Sequence, residues 1–233
     1  MKLVQETIKG IRFYHRPGFS DLKTFQEVIG DEAYLKRGLK IGAGEKWMDC
    51  GGNVGAFALL ACKLGAEVTV YEPDPYNVDM IKRNLRLNGF TATVKQAALI
   101  HDDRRSAILY IPKNGNVWRN SIIRKFKFNN QGIKVPCLNF DDEAKGFDCC
   151  KMDIEGAEMP ILENTDVTFK KLVYEWSFDI DPSLARLWAV IDKQKQDYRI
   201  EAGWHTICYD DHRETLWQHN WFPRCTNVFC FSK

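Results

Sequence analysis

The sequence lacks the features that mark membrane-spanning, secreted and polyelectrolyte proteins. No run of about 18 apolar residues occurs, which argues against a transmembrane helix, and the first residues turn polar at once, which argues against a cleavable signal peptide. The 33 lysine and arginine residues nearly balance the 31 aspartate and glutamate residues, and the net charge of +2 leaves no charged tail. We therefore expect a cytoplasmic protein with no membrane contact.

The cysteines do not form the paired motifs of a zinc site. The chain has eight cysteines and no C-x-x-C pair, and Cys225 with Cys230 lacks a second pair of soft ligands, so we predict no structural metal. Most cysteines lie in apolar runs, where a small buried side chain serves equally well. This placement favours reduced thiols over a disulfide framework.

Internal repeats, low-complexity tracts and Pro/Gly linkers are also missing. The 233 residues, of which 45% are hydrophobic, are enough for one sizeable core and leave no clear surplus for a second. We therefore predict a single domain over residues 1–233.

From Lys46 onward, short apolar runs alternate with longer segments of helical period, a pattern typical of parallel strands joined by crossover helices. The predicted strands cover residues 46–50, 67–72, 91–96, 147–153, 171–176 and, near the end, 228–231. The predicted helices cover residues 54–64, 74–88, 157–163 and 183–196. The pattern predicts an α/β fold.

Two segments stand outside this alternation. Residues 7–14 predict a short hairpin around Gly10, and Asp21 is expected to cap a helix that ends near Gly30. We therefore predict a lid or edge piece over residues 1–45, before a core of residues 46–233. Residues 101–137 interrupt the core and predict an insertion with its own hairpin near the mouth of the functional site.

A glycine-rich turn follows the first core strand. This turn, Gly51-Gly52-Asn53-Val54-Gly55, lies where a strand gives way to a helix, so its backbone can approach a ligand and the first amide groups of the helix are unpaired. We expect Gly51, Gly52, Asn53 and Gly55 to contact a small molecule with a carboxylate or phosphate. A tight turn that only packs the strand against the helix is the alternative.

Two acids narrow the choice of ligand. Glu72 ends the second strand, where it can accept hydrogen bonds from both ribose hydroxyls of an adenosine, and Asp49 precedes the turn. A dinucleotide site favours G-x-G-x-x-G with no acid just before it, whereas this strand ends in Asp-x-Gly-x-x-x-Gly. S-adenosylmethionine carries a sulfonium and an ammonium, so an acid beside the turn suits it better. We predict it as the cofactor, contacted also by Pro73, Gln96 and Ala97.

Several segments together resemble the FkbM family of methyltransferases in order and spacing. They are Asp49 to Gly55, Tyr71 to Pro75 with Asn84 to Asn88, Leu138 to Asp142, and Lys151-Met152-Asp153-Ile154-Glu155-Gly156-Ala157-Glu158, the most specific of the set. The resemblance covers residues 46–176. Departures from the family pattern are Cys50-Gly51-Gly52 and Asn139-Phe140.

The resemblance implies a class I methyltransferase (Rossmann-like) fold, in which helices cover both faces of a seven-stranded, mostly parallel sheet with one reversed strand. It also implies O-methylation of hydroxyl groups on small molecules or sugars.

Three acids follow the fourth core strand within one turn, at the edge of the sheet where ligands bind in this architecture: Asp153, Glu155 and Glu158. We predict Glu155 as a general base or acceptor-binding acid and Asp153 as a positioner near the methionine moiety, with Glu175 also within reach of the reaction centre. Glu158 is assigned to the acceptor. Helix capping by Asp153, or a bound Mg²⁺ or Ca²⁺ ion, are the alternatives.

Other residues are assigned to the acceptor more loosely. Asn120 and Ser121 lie where the family usually carries a Ser-rich loop, and Trp176 and His205 are expected near the pocket. Core packing is the competing explanation for Trp176, and a surface or core-edge position for His205. A basic stretch with interleaved aromatics, residues 118–128, suits either a solvated hairpin edge or a nucleic-acid backbone.

The sequence thus predicts a methyltransferase that acts on a hydroxyl of a small molecule, sugar or nucleotide. One alternative is a methyltransferase acting on RNA or DNA. Another is a module that binds S-adenosylmethionine without catalysis. An NAD-dependent oxidoreductase is disfavoured because the third dinucleotide glycine is missing at the usual spacing. The acceptor and the oligomeric state are not predicted.

Overall fold

A computed structural model describes residues 2–112, 120–123, 129–177, 180–181, 183–202 and 225–233. Its strands are β1 (Val4–Ile8), β2 (Ile11–His15), β3 (Lys46–Cys50), β4 (Glu67–Tyr71), β5 (Thr93–Lys95), β6 (Ala98–Ile100), β7 (Ser106–Pro112), β8 (Asn129–Asn139), β9 (Cys149–Met152), β10 (Lys171–Ser177), β11 (Tyr198–Ala202) and β12 (Cys225–Ser232). Its α-helices are α1 (Asp21–Phe25), α2 (Ala56–Lys63), α3 (Pro75–Asn88), α4 (Phe140–Glu143), α5 (Glu158–Asn164) and α6 (Leu184–Gln194).

The largest sheet in the described part of the chain has seven strands, in the order β11-β12-β10-β9-β3-β4-β5. The strand β12 runs antiparallel to both of its neighbours, and the other neighbouring pairs are parallel. This is the mostly parallel sheet with one reversed strand that the resemblance implies. Because β3, β4 and β9 are parallel and adjacent, the segments that follow them meet at one edge of the sheet.

Helices cover both faces of this sheet. Trp47 packs in a buried cluster with Phe57 of α2, on one face. The next residue, Met48, packs in a second buried cluster with Leu162 of α5 and Leu187 of α6, on the other face. The alternation along β3 explains this division, since consecutive side chains of a strand point to opposite faces.

The predicted core elements are confirmed, with ends that differ from the prediction by at most three residues. In α3, the side chains of Val78, Ile81 and Leu85 are buried, whereas Leu87 is half-buried. The predicted list does not include β6, α4 or β11. The first two have three and four residues and are too short to show a period.

The N-terminal hairpin is confirmed as β1 and β2, and it packs on α3. The backbone amides of Arg12 and Tyr14 donate hydrogen bonds to the side-chain oxygens of Asn88 (3.0 Å) and Asn84 (2.7 Å). Its role as a lid stays a prediction.

Helix α1 continues into a π-helical turn, Gln26–Gly30, which confirms the predicted helix. The predicted cap is wrong. Ser20 occupies the capping position, and the buried carboxylate of Asp21 instead accepts hydrogen bonds from the backbone and guanidinium of Arg16 at 2.8 to 2.9 Å.

The predicted insertion contains the expected hairpin, formed by the antiparallel strands β7 and β8. β6 pairs in parallel with β8 and completes a small three-stranded sheet. Ser121, which lies between the two hairpin strands in sequence, forms an isolated bridge with Tyr110 of β7.

Two further observations concern the described residues alone. None of their helices combines the length and the apolar character needed to cross a bilayer. Six of their cysteines are free thiols: Cys50, Cys62, Cys137, Cys149, Cys150 and Cys230.

Candidate active site

A cavity of about 330 Å³ lies at the carboxyl edge of the central sheet. Its walls come from the segments after β3, β4 and β9, from the end of β10, from the N-terminal segment and from the insertion. The predicted site residues that line it are Gly51, Gly52, Asn53, Glu72, Pro73, Ala97, Asn120, Asp153, Glu155 and Glu175. The topology therefore brings together residues that lie far apart in the sequence.

The glycine-rich turn lies against the segment that follows β9. Gly51 has φ +83°, and a Cβ atom on it would lie only 1.8 Å from the backbone oxygen of Asp153. A Cβ atom on Gly52 would lie 2.2 Å from Cγ1 of Val70. Side chains at these two positions would separate the strands, so the glycines allow the turn to form one wall of the cavity.

The first residues of α2 extend this wall, since Ala56 and Phe57 both line the cavity. The first amide groups of a helix have no partner inside the helix and carry partial positive charge. The start of α2 can therefore bind a carboxylate of a ligand.

Glu72 is held in place by backbone hydrogen bonds, one of them from the glycine-rich turn. Glu72 is 4% exposed, and its carboxylate accepts hydrogen bonds from the backbone amides of Asn53 (2.7 Å) and Asp74 (2.9 Å). Burial raises the pKa of Glu72 to about 8, although these amide donors act in the opposite direction. Oε1 also accepts a hydrogen bond from the side-chain amide of Asn77 at 3.5 Å, whereas Oε2 keeps a further lone pair, so Glu72 can still accept a hydrogen bond from a ribose hydroxyl.

An apolar surface lies beside Glu72. Pro73, Ala97 and Leu99 line the cavity there, whereas Gln96 is exposed and does not line it. Gln96 and Ala97 were both predicted to contact the cofactor. Only Ala97 lies in the cavity wall, where it can contact the adenine ring of S-adenosylmethionine.

Asp49 lies inside the strand and not in the cavity wall. Its side chain is fully buried, and its carboxylate faces the ammonium group of Lys151 at 3.2 Å. Burial raises the pKa of Asp49, and the charge of Lys151 opposes that shift. The pKa of Lys151 is raised, because the carboxylates of Asp49 and Asp153 outweigh the opposing effect of burial.

Lys151 was not predicted as a site residue. It lines the cavity and donates a hydrogen bond to the backbone oxygen of Gly51 at 2.7 Å. The available signal was a lysine inside an otherwise apolar strand.

Four acids besides Glu72 line the cavity and form its acidic wall: Glu27, Asp153, Glu155 and Glu175. Burial, followed by the neighbouring carboxylates of Asp153 and Glu27, raises the pKa of Glu175 well above its usual range. Burial and the carboxylate of Asp153 likewise raise the pKa of Glu27. These carboxyl groups repel one another, and a cationic ligand would relieve that repulsion.

The loop of Glu155 is held in a strained conformation. Glu155 has φ +54°, a left-handed backbone that a residue with a side chain rarely adopts. The hydroxyl of Ser121 donates a hydrogen bond to the backbone oxygen of Glu155 at 2.6 Å. Ser121 is fully buried and does not line the cavity, so it contacts the loop and not the space for an acceptor.

Glu158 holds the same loop from inside. It is 3% exposed, does not line the cavity and accepts hydrogen bonds from the backbone amides of Ile154 and Gly156. Burial, reinforced by the carboxylate of Asp153, raises the pKa of Glu158 to about 7. Its position supports a role in shaping the loop and not in contacting an acceptor.

Three further predicted residues lie elsewhere or outside the described part of the chain. Trp176 is 2% exposed and belongs to a buried hydrophobic cluster, which agrees with the alternative that it serves core packing. Gly55 has φ +92° and precedes α2 without lining the cavity. His205 and the basic aromatic residues 118–119 and 124–128 lie outside the described residues.

Asn120 lines the cavity and lies close to the segment that carries Glu72. Its side-chain amide donates a hydrogen bond to Asp74 at 2.9 Å, and Asp74 caps α3. The segment of Asn120 and Ser121 thus connects the start of α3 to the loop of Glu155.

No group of three or more histidine, cysteine, aspartate or glutamate side chains in the described residues has a geometry that could hold a metal ion. The donor set fits S-adenosylmethionine instead. Glu72 can accept from its ribose, the start of α2 can bind its carboxylate, and the acidic wall suits its sulfonium and ammonium charges.

The sheet order, the reversed strand and a glycine-rich turn at the carboxyl edge define a Rossmann-like domain of the class I methyltransferase type. Residues 49–200 match the model of the methyltransferase FkbM domain, which is more than half of the chain, and the chain belongs to that family. It therefore contains an S-adenosylmethionine-dependent methyltransferase domain.

Solved structures with a similar fold have low sequence identity. One is a tRNA (uracil-54, C5)-methyltransferase from Pyrococcus abyssi in complex with S-adenosyl-L-homocysteine, with TM-score 0.48, 16% identity and coverage of 99% of this chain and 44% of that one. Another is a tRNA m1G37 methyltransferase from M. jannaschii, with TM-score 0.49, 15% identity and coverage of 99% and 57%. A third is a precorrin-6y C5,15-methyltransferase from Geobacter metallireducens GS-15, with TM-score 0.47, 12% identity and coverage of 84% of both chains.

This chain thus spans about half the length of the two tRNA methyltransferases. No curated protein sequence matches it.

Proposed function

We propose that this protein transfers a methyl group from S-adenosylmethionine to a hydroxyl group of a small molecule or sugar that carries no net negative charge. The cofactor supplies an activated methyl group on a positively charged sulfur. The residues of the chain then have two tasks, which are to hold the acceptor oxygen in line with that methyl group and to take up the hydroxyl proton.

The charge of the cavity is the observation that carries this proposal. Five described lining residues are acidic: Glu27, Glu72, Asp153, Glu155 and Glu175. Lys151 is the one basic residue among the described lining residues, and its ammonium group already faces Asp49 at 3.2 Å. Among the described lining residues, a phosphate group on the acceptor would therefore meet carboxylates and no unpaired cation, which favours an uncharged or cationic acceptor over nucleotides and nucleic acids.

Glu175 fits the role of the proton acceptor best. It lines the cavity at the end of β10, and the hydroxyl of Ser177 donates a hydrogen bond to it at 3.2 Å. A general base works best when its pKa lies near the working pH, and burial beside Asp153 and Glu27 raises the pKa of Glu175 from its usual acidic value. Glu155, whose backbone is held by Ser121, is then suited to bind the acceptor.

A labelling experiment tests this proposal. The protein is incubated with methyl-labelled S-adenosylmethionine and four separate acceptor pools, namely neutral sugars and polyols, amino sugars and amino alcohols, sugar phosphates with nucleotides, and oligonucleotides. We expect label in one of the first two pools, and a loss of about 10²–10⁴-fold in rate for Glu175→Gln with that acceptor.

Two results would contradict the proposal in different ways. Label found only in the phosphorylated or oligonucleotide pools would overturn the acceptor class. Full turnover by Glu175→Gln would overturn the role of Glu175 while leaving the acceptor class intact. Glu72→Ala, altered at the ribose end of the cavity, is the control that separates enzymatic transfer from chemical methylation.

A further inference from the structure

Part of the cavity wall comes from outside the region that matches the family. Thr24, Glu27, Val28 and Tyr34 line the cavity, whereas the match to the family begins at residue 49. These four residues belong to the N-terminal segment that the sequence predicts as a lid or edge piece. They form part of the cavity wall, and Tyr34 makes a hydrogen bond to the predicted site residue Asp153.

Tyr34 is anchored on several sides. Its hydroxyl donates a hydrogen bond to Oδ2 of Asp153 at 2.7 Å, and the residue is 5% exposed. Its ring packs edge-on against Phe57, with centroids 5.8 Å apart and an interplanar angle of 87°. The ammonium group of Lys151 lies 5.4 Å from the centre of the same ring.

The hydroxyl of Tyr34 remains a donor over the whole range of working pH. Burial, together with the carboxylate of Asp153, holds the pKa of Tyr34 well above its usual value. A carboxylate that accepts a hydrogen bond from a buried, rigid donor keeps one orientation, which is what a positioned charge requires.

Asp153 lies beside the glycine-rich turn and, through Tyr34, beside the start of α2. Its backbone oxygen packs against Gly51, and Phe57, which packs on Tyr34, lies in the first turn of α2. If Glu72 binds the ribose and the start of α2 binds the carboxylate of the cofactor, the amino-acid end of the cofactor lies beside Asp153. The carboxylate of Asp153 then faces the ammonium group of that end.

We propose that Tyr34 is a positioning residue that holds the Asp153 carboxylate toward the amino-acid end of S-adenosylmethionine. The N-terminal segment is then a working part of the active site. This inference rests on the cofactor assignment and is independent of the acceptor.

Calorimetry with two nucleosides tests the inference without an acceptor. S-adenosylhomocysteine carries the amino-acid end, whereas 5′-methylthioadenosine has the same adenosine without it. We expect Tyr34→Phe to weaken binding of S-adenosylhomocysteine by about five- to tenfold, the effect of losing one ordinary hydrogen bond, because Tyr34 acts on the ligand only through Asp153; binding of 5′-methylthioadenosine should be unchanged. Tyr76→Phe is the matched control, because Tyr76 is 72% exposed on α3.

A double-mutant cycle shows whether Tyr34 acts through Asp153. In an Asp153→Asn background, Tyr34→Phe should cause little further loss of affinity for S-adenosylhomocysteine, because the charge that it positions is already gone. Additive losses would mean that Tyr34 stabilises the fold only, and would overturn the inference.

Other outcomes are equally decisive. Equal weakening of both nucleosides by Tyr34→Phe, or no weakening of either, would overturn the role of Tyr34. Should Tyr34→Phe fail to fold, Asp153→Asn alone must still weaken S-adenosylhomocysteine selectively, or the inference is wrong. Failure of the unaltered protein to bind either nucleoside would overturn the cofactor assignment and this inference with it, whereas an unexpected acceptor would affect only the proposed function.

Discussion

The ammonium group of Lys151 lies 3.2 Å from the carboxylate of Asp49, and the two side chains are 4% and 0% exposed. The two residues face each other in the register of β3 and β9, the central pair of parallel strands. Lys151 also donates a hydrogen bond to the backbone oxygen of Gly51 at 2.7 Å. One buried ion pair thus links the two strands and supports the turn that forms the cofactor wall.

Replacement of Lys151 alone should destabilise the protein strongly. Lys151→Met leaves the carboxylate of Asp49 buried without a counter-charge, and we expect it to lower the free energy of unfolding by about 3–5 kcal/mol. The measurement is urea denaturation followed by circular dichroism. The double variant Lys151→Met with Asp49→Asn should recover part of the loss, because no buried charge remains. A double variant whose loss equals the sum of the two single losses would contradict this account.

The binding of the cofactor should depend on pH through Glu72. The pKa of Glu72 is raised to about 8, and hydroxyl donors from a ribose favour its ionised form, so binding lowers this pKa and releases a proton. Affinity for S-adenosylhomocysteine should therefore rise with pH up to about 8 and level off above it. Calorimetry across that range measures the effect.

Glu72→Gln should weaken binding and remove this pH dependence. Glu67→Gln, at the exposed start of β4, is the matched control and should keep it. A pH dependence that persists unchanged in Glu72→Gln would assign the titration to another group.

The glycine-rich turn should tolerate no side chain at Gly51. In Gly51→Ala the new Cβ atom would lie 1.8 Å from a backbone oxygen, at φ +83°, so we expect loss of cofactor binding and a large loss of stability. Gly89→Ala is the control for backbone strain alone, since Gly89 has φ +69° and a Cβ atom added there would meet no atom within 4 Å. It should cost only about 1 kcal/mol and leave nucleoside affinity intact. Similar effects of the two substitutions would show that contact with Asp153 is unimportant.

The ionised carboxylate of Glu175 should lower the free energy of unfolding at neutral pH. Because its pKa is raised in the folded protein above the usual value of 4.5, the folded state binds more protons than the unfolded state, and stability falls as pH rises above that value. Glu175→Gln removes this cost. We expect the variant to be more stable than the unaltered protein at pH 8 and to lose this advantage near pH 4. Thermal unfolding at the two pH values is the measurement, and an advantage that is larger at low pH would contradict the assignment.

Much of the fold was predictable because its signals are local. The alternation of short apolar runs and helical periods depends on residues a few positions apart, and it located the core strands and the four longer core helices to within a few residues. The glycine-rich turn and Glu72 were predictable for a similar reason. Each lies directly after a recognisable strand, and parallel strands bring their carboxyl ends to one edge.

The remaining parts of the site depend on contacts that no local pattern shows. Tyr34 reaches Asp153 across 119 positions of sequence, and Glu27 reaches the same cavity from the N-terminal segment. Ser121 was assigned to the acceptor from the family resemblance, and Glu158 and Trp176 from the segments in which they lie, yet their side chains point into the loop or the core. Side-chain direction is set by the packing of the elements around it, which the spacing of residues does not encode.

The sequence by itself determined the order of the core elements, the family and the cofactor, because these follow from periodicity and from short contiguous motifs. Only the tertiary structure decided which acids share one cavity, that Lys151 neutralises Asp49, and that the N-terminal segment completes the wall. The physical reason is that charge, burial and hydrogen bonding act through space, over distances of a few ångströms, between residues that the chain brings together only when it folds.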